Sequence, residues 1–318
     1  MRFALPIAVS IFGLLACGDD TSTGGTSATS SGGGGMSSGG GGEAASSGGG
    51  GNGGEPSVGG AGGEGGSGPT TSPGCTTGTG LAEGEHTFEL DGLARRYILR
   101  LPENYSPDVP WPVVLALHGN GGSVDYWDAT SGPQNIREVL KNDAVLIVAE
   151  AIEGNWRDYE ASPDTWPARV EQELAYFEEV LEQARNELCV NEDAIFSMGF
   201  SGGGSFSGVL GCRRSDIRAI AVGGSVIYFD EAECINTPAA WITIGTEELT
   251  PEREAFRDFF RDRAMCSETS MATSPDPCVA YDGCESTTPV HYCQHPDGHI
   301  WPAFGSEAMW AFFSSFVR

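Results

Sequence analysis

The stretch "AIFSMGFSGGGSF" (residues 194–206) decides how this chain is read. Apolar residues run straight up to a serine set among glycines, and small residues and an aromatic follow. A solvent loop has no use for that hydrophobic approach, and a buried strand does not stop so abruptly. A strand that turns sharply into a helix accounts for both, with Ser201 held at the turn. Gly199-Phe200-Ser201-Gly202-Gly203 then matches Gly-x-Ser-x-Gly. Its glycines let chain segments pass close to a strained serine, whose hydroxyl is left exposed at the carboxyl edge of a sheet. The bland alternative is a tight packing turn, because the pentapeptide recurs by chance in a glycine-rich chain.

The flanking sequence predicts the sheet this turn needs. "HTFELDGLARRYILRLPENY" (86–105) alternates and reads as an antiparallel hairpin. "WPVVLALHGNGG" (111–122) and "AVLIVAE" (144–150) are continuous apolar runs, as fully buried central strands require. Between them lies a broken helical stretch. In 169–188, Val170, Leu174, Phe177, Leu181, Ala184 and Leu188 make one apolar stripe of a helix. "IRAIAVGG" (217–224) and "AAWITIGT" (239–246) are further short buried strands, and "PEREAFRDFFRDRA" is a helix with Pro251 in its first turn. "PVHYC" (289–293) is a last strand and "SEAMWAFFSSFV" a closing amphipathic helix. Buried strands alternating with helices predict an α/β fold with a mostly parallel central sheet flanked by helices.

A serine hydroxyl needs a base to take its proton, and the base an acid to orient it; in this kind of fold the chain order is Ser, acid, His. His291, His295 and His299 follow Ser201. His291 falls inside a strand and His295 reads as an exposed residue, whereas His299, in "PDGHIWP", lies on the loop before the last helix. The acid belongs after the strand "WITIG", where the chain offers "TEELTP". Glu248 is the first choice and Glu247 the second, with a nearby aspartate such as Asp258 third; the alternative is that both glutamates are merely solvated. The backbone N–H of Gly202 is one expected oxyanion donor, and the loop "HGNGG" supplies the second, Asn120 before Gly121. His118 reads as a residue pinning that loop. Trp156 and Trp301 are candidates for lining a substrate pocket, with core packing as the alternative.

The remaining features bound the setting. "MRFALPIAVSIFGLLA" (1–16) is secretory-signal chemistry, and "LLAC" resembles a lipobox that would lipidate Cys17; incidental placement of Cys17 behind an ordinary signal is the alternative. Residues 18–74 are Gly/Ser/Thr/Ala-rich and predict a flexible linker. The folded domain is expected over 75–318. Of 44 acids and 17 bases, five acids and one base precede Cys75, which leaves the domain 39 against 16. That surface repels nucleic acid and anionic lipid, so a nucleic-acid partner is not expected. Any membrane link is therefore expected only through the N-terminal lipid, on the extracellular face and, for a bacterial chain, the outer membrane. Eight cysteines behind a secretion signal predict disulfides, whose pairing the spacing leaves open among 105 arrangements. No metal site is read from them, and no cofactor is expected.

With these residues placed, 75–318 resembles carbohydrate esterase family 1, within the α/β-hydrolase fold, whose members include feruloyl esterases, acetylxylan esterases and related polyhydroxybutyrate depolymerases. "RRYILRLPENY" leads to "VVLALHGNGG", and "NELCVNEDAIFSMGFSGGGSFSGVLGC" is similar to the family's Cys-Val-Asp…Gly-x-Ser-x-Gly-Gly…Cys run. "ITIGTEE" stands where those enzymes carry Gly-Thr-x-Asp, and "HYCQHPDGHIWP" where they carry Gly-His-x-x-Pro. "PCVAYDGCESTTPVHYC" resembles the cysteine-rich insertion of secreted feruloyl esterases more than the depolymerases. The resemblance implies Ser201 as nucleophile and His299 as base. Glu248 departs from the family's aspartate, and Phe200 and Gly202 depart around the serine. The expected activity is a secreted serine esterase, acting as a monomer on feruloyl or related esters of plant cell-wall polysaccharide. Polyester depolymerase and acetylxylan esterase are alternatives within the class. A surface binding lipoprotein that keeps the fold without turnover is the alternative outside it.

Overall fold

Strands form where apolar residues are continuous or alternate, and they order into one sheet. The computed structural model describes residues 68–157 and 166–317. After a one-turn helix α1 (Gly74–Thr77), β1 (Gly84–Leu90) and β2 (Leu93–Arg100) make an antiparallel hairpin. Asp91 and Gly92 join them, both at positive φ, as a two-residue turn between right-twisted strands demands. There follow β3 (Trp111–Leu117), α2 (Ile136–Leu140), β4 (Val145–Ala149), α3 (Trp166–Glu187) and β5 (Val190–Phe200). Next come α4 (Gly202–Arg213), β6 (Ala219–Gly223), β7 (Ala239–Gly245) and α5 (Pro251–Arg263). The chain closes with β8 (Ser270–Ala272), β9 (Cys278–Tyr281), β10 (Val290–His295) and α6 (Gly305–Ser314). Among the described residues the strand order is β1-β2-β4-β3-β5-β6-β7-β10-β9-β8.

The six strands from β4 to β10 in that order are parallel, and the hairpins at either end are antiparallel. The residue pattern explains this split. β3, β4, β6 and β7 are buried at every position because helices cover both faces, whereas β1 alternates between half-buried and exposed. Val113, Leu115 and Leu117 point into a core shared with α3, α4 and α5; Val114 and Ala116 point into one shared with α2 and α6. The stripe on α3 packs as its spacing predicts, with Leu174 only half-buried. The same helix also buries Glu173, which accepts from Arg95 Nη2 at 2.6 Å.

The structure departs from the sequence reading in two places and supplies the cysteine pairing that the sequence left open. Residues 70–74, read as the end of the linker, already pack. Thr71 bridges to Asn191, and the buried Ser72 hydroxyl donates to Leu188 O at 2.8 Å. β8 and β9 extend the sheet beyond β10, inside the stretch taken as an insertion; their short runs carry too little periodicity to announce strands. The cysteines pair as Cys75–Cys189, Cys212–Cys234, Cys266–Cys284 and Cys278–Cys293. The last of these joins directly opposed positions of β9 and β10. Cys17 and linker residues 18–67 lie outside the described residues. Among the described residues, no helix is long and apolar enough to cross a membrane.

Candidate active site

β5 ends at Phe200 and α4 starts at Gly202, which leaves Ser201 alone at the turn with φ 56° and ψ −120°. A non-glycine residue held there costs on the order of 1–3 kcal/mol and persists only where its surroundings over-determine it. Here they do. Ser201 N–H donates to Gly223 O at 2.7 Å, Ser205 N–H donates to Ser201 O at 2.9 Å, and α4 is buried from Gly202 to Cys212. The motif glycines are a steric requirement. A Cβ on Gly199 would stand 2.4 Å from the Gly203 carbonyl carbon, and one on Gly203 would stand 2.1 Å from Leu117 O.

Ser201 meets His299 across the carboxyl edge of the sheet. His299, on the loop between β10 and α6, places Nε2 2.8 Å from Ser201 Oγ, while its Nδ1 hydrogen-bonds Glu248 Oε2. A neutral imidazole with its proton on Nδ1 satisfies both contacts: it donates to the carboxylate and accepts from the hydroxyl. Glu248 sits in the 3-10 turn Thr246–Glu248 that follows β7, and it is 8% exposed. Its other oxygen accepts the Gly245 N–H at 3.1 Å. Burial pushes this carboxyl up. The His299 hydrogen bond, the Gly245 N–H and the charges of His299 and Arg253 outweigh burial and hold it below its ordinary value. The Phe200 ring covers the imidazole, with ring centroids 4.6 Å apart.

The other candidates are elsewhere. Glu247 is exposed, and Asp258 pairs with Arg257 and Arg261 on α5. His291 is half-buried in β10 against Phe312. His295, expected to be exposed, is 1% exposed, because β10 runs on past Cys293 and carries it under the following loop.

His118 pins its loop. Its ring bonds Gly119 O through Nδ1 at 2.7 Å and accepts Ala151 N–H on Nε2 at 3.2 Å, and burial lowers its pKa. Gly121 N–H is committed to Gly154 O at 2.8 Å, which removes it as an oxyanion donor. Asn120 lies against the turn: a Cβ on Gly202 would come within 2.0 Å of its Oδ1. Gly202 is the first residue of α4, where a backbone N–H has no intrahelical acceptor.

The two tryptophans do not line an open pocket, a correction to the expectation. Trp156 is 0% exposed, donates to His118 O at 2.7 Å and stacks with Phe177 and Phe206. Trp301 is 1% exposed and packs on Trp127 and Trp241. Both indoles are therefore core residues, packed against neighbouring aromatic rings.

The structure also adds a residue that sequence reasoning missed. Arg253, in the first turn of α5, places Nε 3.1 Å from Glu248 Oε2 and 3.3 Å from Gly224 O. Its Nη1 donates to Glu248 O at 3.3 Å. "TEELTPER" holds no linear sign that this helix folds back onto the acid. Tyr126, stacked on Phe200, and Tyr228, 3.4 Å from Asn120 Nδ2, complete the aromatic rim.

No family model matches the chain. Curated relatives include "Feruloyl esterase D" of Neurospora crassa, 26% identical over 275 residues, covering 77% of this chain and 90% of that protein. "Feruloyl esterase C" of Emericella nidulans is 24% identical over 261 residues, with 76% and 90% covered. "Probable feruloyl esterase C" of Aspergillus niger is 28% identical over 179 residues, 54% of this chain and 60% of that protein. Among solved structures, a fungal esterase from Rhizomucor miehei aligns over 78% of this chain and 85% of its own at TM-score 0.52 and 13% identity. A thermophilic esterase from Thermogutta terrifontis aligns over 73% and 94% at TM-score 0.51 and 12% identity.

The fold is that of an α/β-hydrolase, and the curated relatives make the chain a serine carboxylic ester hydrolase. Those relatives are feruloyl esterases, in agreement with the resemblance to carbohydrate esterase family 1.

Proposed function

We propose that this chain is a secreted feruloyl-esterase-type enzyme that cleaves hydroxycinnamoyl esters of plant cell-wall polysaccharide. Ser201 Oγ attacks the ester carbonyl carbon while its proton passes to His299 Nε2. The oxyanion takes hydrogen bonds from the backbone N–H groups of Gly202 and Asn120. Collapse breaks the bond to the alcohol oxygen, which leaves with the proton from His299. Water then attacks the acyl-Ser201, gives a proton to His299, and the second collapse returns that proton to Oγ and frees the acid. Glu248 holds the imidazole in its tautomer and stabilises the imidazolium.

The observation that supports this reading is the hydrogen-bonded line Ser201–His299–Glu248 at the sheet edge of a chain related to feruloyl esterases. Fluorophosphonate labelling tests the nucleophile: an adduct at Ser201, lost on boiling beforehand, is expected, and its absence favours a binding protein. Steady-state rates on methyl ferulate, p-nitrophenyl acetate and a hydroxybutyrate oligomer test the acyl group. A measurable rate on ferulate is expected, and turnover of the other two without ferulate removes the feruloyl assignment.

The four disulfides support an oxidising compartment and hence secretion. In this reading the protein works as a monomer, is lipidated at Cys17 and is tethered to the outer membrane by residues 18–67. Detergent-phase partition of the full chain tests this, since Cys17→Ser is expected to move it to the aqueous phase.

A further inference from the structure

Beside the His299 loop lies a cavity of about 540 Å³ at the same carboxyl edge of the sheet, bounded by the ends of β7 and β10 and the start of β9. Thr246, Asp276, Gln294, His295, Asp297 and Phe304 are among its walls. His295 is the telling residue. It is 1% exposed, yet among the described residues neither ring nitrogen has a hydrogen-bond partner. Its Nδ1 is 3.8 Å from the Asp297 carboxylate, outside hydrogen-bond reach. Buried polar atoms without partners are rare, because each has given up water for nothing. A neutral imidazole asks for one acceptor and one donor, and hydroxyl groups supply both.

The rest of the wall asks for the same chemistry. Asp276 and Asp297 accept from hydroxyls, and Gln294 offers an amide beside Thr246 Oγ1 at 3.3 Å. The Phe304 ring and the prolines Pro277 and Pro302 present apolar faces. Two carboxylates on an acidic domain turn away anions. What fits is a neutral, polyhydroxylated ring.

Position links the cavity to the chemistry. In the proposed reaction the leaving alcohol takes its proton from His299, so the alcohol half of the ester lies on the His299 side, and the loop carrying His299 forms one wall of the cavity. β10 lies three strand spacings from β5 in the sheet, roughly 14 Å from the serine at about 4.8 Å per spacing. A methyl leaving group does not span that distance; an oligosaccharide does. We propose that this cavity is a subsite for a neutral sugar unit of the polysaccharide, some distance along the chain from the esterified sugar. The inference deepens the ester-hydrolase reading and rests on it. Another cavity, of about 560 Å³, lies at the opposite sheet edge near Ala144, where Arg100 and Lys141 are already paired with Asp128 and Glu138.

Two measurements test the subsite. First, the full-length Ser201→Ala protein is titrated calorimetrically with ester-free arabinoxylan oligosaccharides. Binding is expected, and it should weaken about tenfold when Ala303→Trp fills the cavity or Gln294→Ala removes its amide. Second, in the active background, both variants should keep their rate on methyl ferulate while KM for feruloylated oligosaccharide rises about tenfold. No saccharide binding, or binding that neither variant alters, overturns the subsite. Gln294→Ala and a melting curve guard against misfolding of Ala303→Trp. Saccharide binding that the variants abolish, in a protein without ferulate turnover, keeps the subsite and overturns only the feruloyl reading.

Discussion

Glu173 and Glu248 are assembled from the same parts. Both carboxylates are buried; each accepts one backbone N–H, from Ile152 at 2.9 Å or Gly245 at 3.1 Å, and each faces an arginine, Arg95 at 2.6 Å or Arg253 at 3.1 Å. Their balance differs. Glu173 lies between α3 and β2 with a partner as buried as itself, and burial pushes its pKa up against Arg95 and the Ile152 N–H. Glu248 lies at the rim, where burial is outweighed and the carboxyl is held below its usual range. Its histidine partner has a side chain 40% exposed. A buried carboxylate whose partner is also buried anchors the fold; one whose histidine partner reaches the open edge orients a group that solvent can meet.

The largest effect expected from this contrast is on catalysis. Glu248→Gln should lower kcat/KM for p-nitrophenyl acetate by about 10³–10⁴-fold, as loss of a triad acid does, with little change in melting temperature. Glu173→Gln should leave the rate of the folded protein nearly unchanged and lower its melting temperature instead. Comparable rate losses in the two variants would collapse the distinction.

Next comes stability. Arg95→Met strands a buried carboxylate and should cost about 3–5 kcal/mol in urea unfolding. Arg253→Met removes a partner from a rim where His299 and a backbone N–H remain, and should cost about 1 kcal/mol. Equal losses would show that the two arginines do the same job.

The smallest effect is in the pH dependence of stability, where the two glutamates should show opposite slopes. Glu248 titrates below its unfolded value of about 4.3, so its contribution is complete above that pH and is lost as pH falls through the folded value. Glu173 titrates above it, so its contribution is complete below about 4.3 and is lost as pH rises through the folded value. Subtracting each Gln variant from the parent, in unfolding curves between about pH 3 and 7, should give differences that shrink toward acid for Glu248 and toward neutrality for Glu173. Slopes of one sign would contradict the assignment.

Most of the fold was legible because the evidence for it is local. Continuous apolar runs marked β3, β4, β6 and β7, and the four-and-three stripe marked α3. β8 and β9 escaped because three or four residues cannot display a period. Around the candidate site, the turn at Ser201 and the loop position of His299 could be read. The choice among Glu247, Glu248 and Asp258 could not, since it depends on which side chain meets the imidazole. Trp156 and Trp301 were misplaced for the same reason: an indole in a loop sequence gives no sign of the aromatic rings that enclose it.

What residues 194–206 and their neighbours settled unaided is the strand, the turn and the helix, because the apolar run and the exclusion at Gly199 involve only residues adjacent or within one turn in the chain. Only the assembled molecule decided that Glu248 meets His299, that Arg253 returns to clamp it, which cysteines pair, and that His295 is buried beside a cavity. Those outcomes depend on distance through space between residues far apart in the chain, and on burial, which no single segment possesses until the others have packed against it.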